Sequence, residues 1–217
     1  MLGLSASVKP RLRGVSHQWA CLCSVPLGVA LVLAAGSARA RLAVSVYPVS
    51  LVALFGVSAL YHRLDWQSIS ARRWMRRLDH SMIFMLIAGT YTPVALLALH
   101  GPLATATLIA VWAGALAGVL FKLVWIDAPK WLFAVAYIAL GWVAASAFPQ
   151  LAAALGVVGL ALFGLGGVLY TVGAVVYAVG RPDPIPAVFG YHEVFHALVI
   201  VAAALQYTVI AFWVVPH

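Results

Sequence analysis

Long apolar stretches separated by short polar ones run along nearly the whole chain. Seven of these stretches are long enough to cross a bilayer as a helix, at about residues 18–35, 42–61, 78–99, 103–125, 131–148, 151–179 and 189–213. The pattern predicts an all-α, polytopic membrane protein with seven transmembrane helices. We divide the chain into a basic N-terminal segment, residues 1–16, and a seven-helix membrane domain, residues 17–217.

The basic residues indicate how the helices are oriented. If the N-terminus is cytoplasmic, all but two of the 13 lysines and arginines lie on the cytoplasmic side, and only Arg39 and Arg41 lie outside. The positive-inside rule selects this orientation. It predicts an inner (plasma) membrane protein whose last residue, His217, is external. Five of the arginines, from Arg63 to Arg77, are expected in a solvated loop that touches anionic lipid headgroups.

The start of the chain also has features of a signal peptide. A basic leader and an apolar stretch precede Ala38-Arg39-Ala40, which resembles a cleavage site. The next apolar stretch follows at once, and a retained first helix gives the better charge balance. We therefore expect the first helix to stay in the membrane.

Composition excludes a soluble domain. The chain is 65% hydrophobic and 8% charged, with a mean hydropathy of +1.06. The net charge of +8 follows the predicted topology, which argues against nucleic acid as a partner and leaves the lipid bilayer as the expected surroundings. Cys21 and Cys23 point in different directions on a helix, so we expect packing or membrane-facing thiols.

Two local patterns predict how the helices bend and pack. Pro93 removes one backbone donor, so a kink is expected there. The Gly114-x-x-x-Gly118 pattern predicts a face where another helix packs closely.

The last apolar stretch opens with Gly-Tyr-His-Glu-Val-Phe-His, residues 190–196. On a helix His192 and His196 share one face and can offer two imidazoles to one ion. Zn²⁺ is a natural partner of neutral imidazole. The spacing also matches His-Glu-x-x-His, the zinc protease pattern in which the glutamate, here Glu193, acts as a base.

Other helices supply candidates for a third ligand at the same predicted depth. His62 ends the second helix, and Asp79 begins the third. Ser58 lies one turn before His62 on the same face. A three-histidine zinc site leaves a fourth position for water, as in catalytic zinc sites. Asp79 is then a candidate to orient or deprotonate that water, and Ser58 to stabilise an oxyanion. His17, His80 and His100 are expected at the membrane interface instead.

Several motifs resemble the bacterial hemolysin III family. They are Ser-x-x-x-His (58–62), Leu-Asp-His-Ser (78–81), Ala-Gly-Thr-Tyr-Thr-Pro (88–93), Phe-Gly-Tyr-His-Glu-Val-Phe-His (189–196) and Lys-Pro-Arg-Leu-Arg-Gly-Val (9–15). The family belongs with the progestin and adipoQ receptors, which include the adiponectin receptors, and more distantly with the alkaline ceramidases. The resemblance implies seven helices around a cytoplasm-side zinc site with His62, His192 and His196 as ligands. It places the family's serine and aspartate at Ser58 and Asp79.

Three functions follow from these residues. The first is a zinc hydrolase acting on a membrane lipid amide or ester, with Asp79 and Ser58 as catalytic residues; the resemblance to ceramidases implies this chemistry without naming a substrate. The second is a non-enzymatic membrane sensor or lipid-homeostasis protein with structural zinc. The third is an intramembrane zinc protease with Glu193 as its base. We rank them in this order, and the protease comes last because a third histidine and Asp79 are available beside the pair.

Overall fold

The computed structural model describes residues 9–216, and these residues form seven α-helices. Residues 1–8 and the predicted external position of His217 lie outside the described residues. The helices are α1 (Val15–Ala34), α2 (Ala38–Arg63), α3 (Ile69–Pro93), α4 (Gly101–Val124), α5 (Lys130–Gly141), α6 (Phe148–Val179) and α7 (Tyr191–Val209). The all-helical prediction is confirmed for this part of the chain.

Short irregular helices extend or join three of these elements. A π-helical turn, Val94–Ala98, follows Pro93 at the end of α3. Proline has no backbone N–H to donate to a helical hydrogen bond. The wider π-helical turn follows it, at the place where a kink was expected. A second π-helical turn, Ile210–Val214, extends α7, and a 3₁₀ turn, Trp142–Ala147, joins α5 to α6.

Six helical stretches within residues 9–216 are long and apolar enough to cross a bilayer. The longest is Lys130–Val179, in which α5, the 3₁₀ turn and α6 follow one another without a loop. The fifth and sixth predicted stretches meet at residues 149–150, and the structure has a helix boundary close by, since the 3₁₀ turn ends at Ala147 and α6 begins at Phe148. Pro149 lies in the first turn of α6, where no backbone donor is needed. The backbone also leaves the helix at Gly156, with a φ of 61° that glycine adopts without strain.

The predicted basic loop before the third helix is mostly helical. Residues 64–68 alone connect α2 to α3, and the Ser68 side chain caps α3 by accepting from the Ala71 backbone N–H at 3.3 Å. Arg73 and Arg76 pair with Asp127, at 3.2 and 2.9 Å. These contacts to the segment after α4 hold the arginines in a helix that begins well before Asp79.

Consecutive helices pack on one another, and α1 also packs on α7, which closes the bundle. The main core contains Val44, Tyr47 and Leu155, and the Tyr47 hydroxyl donates to the Ala203 carbonyl oxygen at 2.8 Å. We call the end of the bundle that carries His62 and His192 the histidine end. At the opposite end, the far end, the His100 backbone N–H donates to Gln150 Oε1 at 3.0 Å.

Glycines allow α4 to approach its neighbours closely. A Cβ atom added at Gly118 would overlap the Phe84 ring of α3, and one added at Gly114 would overlap the Leu140 side chain of α5. The close-packing face predicted from Gly114-x-x-x-Gly118 is confirmed. In contrast, a Cβ at Gly164 of α6 would meet no atom of the described residues within 4 Å.

This difference gives a prediction about stability. We expect Gly118→Ala to lower the free energy of unfolding by about 1–3 kcal/mol, because the buried Phe84 ring must move to admit the methyl group. Gly164→Ala makes the same chemical change on an open surface and should not destabilise, because alanine favours a helix more than glycine does. Thermal unfolding in detergent measures both. Equal midpoints for the two variants would contradict the close packing at Gly118.

Candidate metal centre

Three histidines from two helices meet at the histidine end. Each offers one ring nitrogen, and these nitrogens all lie within 4.8 Å of one another. His62 Nε2 and His192 Nε2 are 3.0 Å apart. All three rings are buried. We call His62, His192 and His196 the histidine cluster.

Local sequence explains why α7 begins where it does. Gly190 is the N-cap, and the Glu193 carboxylate accepts from the Gly190 backbone N–H at 2.9 Å, as in a capping box. Asp183 accepts from the Tyr191 backbone N–H at 2.8 Å. Two of the otherwise unpaired donors at the helix start are therefore satisfied, and His192 and His196 occupy successive turns of one face.

The histidine cluster fits a zinc ion. Tetrahedral zinc binds imidazole nitrogen at about 2.0–2.1 Å, which places two ligand nitrogens about 3.3 Å apart. The 3.0 Å separation of His62 and His192 is close to this value. Nδ1 of His196 is buried and has no hydrogen-bond partner among the described residues. A buried imidazole nitrogen without a partner is unfavourable, and a bound ion relieves such a cost.

Asp79 and Ser58 lie beside the cluster. The Asp79 Oδ2 atom is 3.7 Å from His62 Nε2. Asp79 and Ser58 line the same cavity as His192 and His196. The structure therefore brings together all five residues selected from the sequence, while their roles remain predictions.

Two further histidines belong to this region, and the expectation that they lie at the interface is wrong. The His17 ring stacks on the His196 ring, with centroids 3.7 Å apart and planes 12° apart, and His17 is 2% exposed. His80 is also buried, with Nε2 3.4 Å from the Tyr177 hydroxyl and 4.0 Å from Asp79 Oδ2. His100 is exposed at the far end.

The position of His17 could have been found from helical periodicity. The buried residues of α1 are His17, Ser24, Gly28 and Leu31, which form one stripe along the helix. A polar ring at the end of a buried stripe faces the bundle. The i, i+4 spacing that selected His192 and His196 does not select His17, because the His17 ring meets His196 only through the packing of α1 on α7.

Glu193 is held by an ion pair that sequence reasoning missed. The Arg13 side chain donates to Glu193 Oε1, and Glu193 is 1% exposed. Its other oxygen accepts from the Gly190 backbone. The segment before α1 is also fixed to the loop before α7, because the backbone N–H groups of Arg11 and Leu12 donate to the carbonyl oxygens of Ala187 and Val188, at 3.0 and 3.1 Å.

Two open spaces adjoin the histidine cluster. One is a mostly apolar cavity of about 100 Å³, which we call the apolar cavity. Its polar end contains His17, Ser58, Asp79, His80, His192 and His196, and its remaining walls include Leu86, Ile87, Phe195 and Val199. The other, the polar vestibule, has a volume of about 740 Å³ and is lined by His62, Lys9, Arg13, Tyr61, Asp65, Trp66, Arg72, Asp183 and Tyr191. The cluster thus lies between the two spaces.

The helices and their apolar surfaces define an integral, multi-span membrane protein with a buried cluster of histidines at one end. A family model described as "Haemolysin-III related" matches residues 6–207. The chain belongs to this hemolysin III family.

Two relatives show the extent of the similarity. "Hemolysin-3" of Bacillus cereus is 32% identical over 212 residues, covering 93% of this chain and 90% of the relative. "Hemolysin-3 homolog" of Bacillus subtilis (strain 168) is 32% identical over 204 residues, covering 93% and 92%. The resemblance seen in the sequence motifs is confirmed over nearly the full length of the chain.

Proposed function

We propose that this protein is a zinc-dependent hydrolase that acts on an amide or ester bond of a membrane lipid. The observation that carries the proposal is the position of the histidine cluster, between the apolar cavity and the polar vestibule and beside Asp79. A lipid has an apolar and a polar part, and the bond that joins them would lie where the two spaces meet.

Each residue of the site has a distinct role in the proposed hydrolysis. His62, His192 and His196 would hold zinc, which when bound supplies Lewis-acid chemistry that activates water and polarises a carbonyl group. Asp79 takes a proton from water, and Ser58 lines the same cavity beside it. Ser58 can also donate to a developing oxyanion. The apolar walls around Leu86 and Val199 hold the acyl chain and exclude water.

The contacts of Glu193 argue against the protease alternative. Both of its carboxylate oxygens already have partners, one in Arg13 and the other in the Gly190 backbone N–H. A general base must be free to reach the proton it removes. Asp79 lines the apolar cavity and has no comparable ion pair with a lysine or arginine among residues 9–216.

We also propose seven crossings, with the histidine end in the cytoplasm and the protein in the plasma membrane. The run from α5 to α6 is expected to cross twice. Lys130, at its start, donates to the Tyr191 hydroxyl at 3.1 Å near the histidine end, and Gln150 meets His100 at the far end. Tyr177, near the end of the run, lies beside His192 again, with ring centroids 6.0 Å apart.

This topology predicts the outcome of reporter fusions. A reporter placed after Trp66, in the connection before α3, should read as cytoplasmic, because the arginines that follow stay inside. A reporter fused after His217 should read as external. A cytoplasmic reading at both positions would contradict the five crossings that we propose between Trp66 and His217.

The proposed activity is tested with purified protein in vesicles. Lipid products are followed by mass spectrometry over a panel of membrane amides and esters, for zinc-loaded protein and for protein treated with a chelator. We expect turnover of at least one lipid class by the zinc-loaded protein and its loss after chelation. Zinc-loaded protein that releases no product across the panel would overturn the hydrolase and favour the sensor alternative.

A further inference from the structure

The polar vestibule is lined by an arginine, Arg72, that has no ion-pair partner among residues 9–216. Among its lining residues, Lys9, Arg13 and Arg72 are cationic, and Asp65 and Asp183 are anionic. Arg13 is committed to the buried Glu193. Asp183 accepts from the backbone N–H of Tyr191 at the start of α7. The Arg13 charge is therefore neutralised at the wall of the vestibule, whereas Asp183 keeps its negative charge.

The two remaining cations are available to a ligand. Arg72 is exposed and makes no ion pair with any residue between 9 and 216. Lys9 Nζ lies 3.9 Å from Asp65 Oδ1, but the Asp65 side chain is 93% exposed. An ion pair this long and this exposed contributes little. Arg72 and Lys9 are thus the two cations of the vestibule that can turn toward an anionic ligand.

The other walls suit a group at the level of lipid headgroups. Tyr61, Trp66 and Tyr191 line the vestibule, and the Trp66 indole N–H donates to the Tyr61 carbonyl oxygen at 3.1 Å. Tyrosine and tryptophan are enriched at membrane–water interfaces, where an apolar ring face and a polar edge are both useful. The vestibule is also lined by His62, so a ligand held there has access to the histidine cluster.

We propose that the polar vestibule binds the phosphate of an anionic lipid headgroup through Arg72 and Lys9. A guanidinium group can hold two phosphate oxygens at once, which gives both affinity and orientation. The headgroup then lies in the vestibule and an acyl chain in the apolar cavity, with the histidine cluster between them. As an assignment of substrate class this rests on the proposed hydrolase, and it selects phosphate-bearing lipids over neutral ones.

Lipid binding can be measured without turnover. The full chain, purified in neutral detergent, is given equal amounts of phosphatidylglycerol and phosphatidylcholine, and native mass spectrometry counts the lipids retained. We expect wild-type protein to retain the anionic lipid about tenfold better, the usual worth of one charge-assisted contact. Equal retention of the two lipids would overturn the proposal.

A neighbouring arginine offers a matched control. Arg72→Gln should remove about a tenfold preference for phosphatidylglycerol, whereas Arg73→Gln, which removes the same charge from a residue paired with Asp127, should keep it. Arg72→Lys keeps the positive charge but lacks the paired N–H donors of the guanidinium group, so it should lose part of the preference for phosphatidylglycerol. Equal losses in Arg72→Gln and Arg73→Gln would mean that general surface charge attracts the lipid, and would overturn the assignment to the vestibule.

Inorganic phosphate separates a lipid site from a site for a free anion. At concentrations equal to the lipid, we expect it to leave phosphatidylglycerol bound, because the acyl chain adds apolar contacts. Displacement at equal concentration would overturn the lipid assignment. Zinc content, measured in parallel, should match wild type in the Arg72 variants. A protein that lacks turnover but still shows this lipid preference would refute the hydrolase alone.

Discussion

Replacing His196 by alanine is expected to remove zinc from the purified protein. Wild-type protein should carry about one zinc per chain, given three neutral imidazole ligands and a fourth position for water. Loss of an outer partner of a metal ligand already lowers affinity about 10–100-fold, so loss of a ligand itself should lower it by more. His62→Ala should have the same effect, because its Nε2 atom lies 3.0 Å from that of His192.

Controls for this prediction come from histidines outside the cluster. His100→Ala makes the same change at an exposed position at the far end and should leave the zinc content unchanged. Metal analysis by mass spectrometry, with thermal unfolding as a check on folding, gives the comparison. Full zinc retention in both His62→Ala and His196→Ala would refute the site.

The second large effect is expected at Asp79. Asp79→Asn keeps the size of the side chain and removes its ability to take a proton. Turnover should fall by about 10²–10⁴, the usual contribution of general acid–base catalysis. Zinc should largely remain, because the three histidines are unchanged. Lipid product formation and zinc content, measured on the same preparation, test both statements.

Glu193→Gln is the comparison that decides which acid is the base. Under the proposed mechanism it should change turnover only slightly, but it leaves Arg13 without its charged partner. Removing one member of a buried ion pair is more damaging than removing both. We therefore expect Glu193→Gln to lower the thermal midpoint, and Arg13→Gln combined with Glu193→Gln to recover part of the loss. Inactive Glu193→Gln with active Asp79→Asn would reverse the assignment and favour a protease.

The residues selected from the sequence lie close together because part of their arrangement follows from short-range geometry. Residues four apart on a helix lie on the same face, so His192 and His196 are neighbours wherever α7 lies in the bundle. Ser58 and His62 follow the same rule on α2. Each apolar stretch must match the thickness of the bilayer, so the position of a residue along its stretch indicates its depth in the membrane. His62 and Asp79 could therefore be placed at the same depth. The sequence motifs alone also identified the family that the comparisons confirm.

Other features depended on contacts between distant segments. The arginines before Asp79 lie in a helix, and Arg73 and Arg76 pair with Asp127, a partner that local pattern does not reveal. The non-helical backbone at Gly156, inside the sixth stretch, was not predicted from the sequence, since an isolated glycine does not by itself mark a break.

By itself, the sequence determined the helical membrane architecture, because apolar length and helical spacing are local properties of the chain. It also determined which residues could serve as zinc ligands and as a base. Only the tertiary structure decided that His17 stacks on His196 and that Arg13 holds Glu193. Both contacts join α1, or the segment before it, to α7, and no periodicity within one helix predicts a partner at the other end of the chain. The contacts of Glu193 with Arg13 and with the Gly190 backbone N–H were therefore not predicted from the sequence.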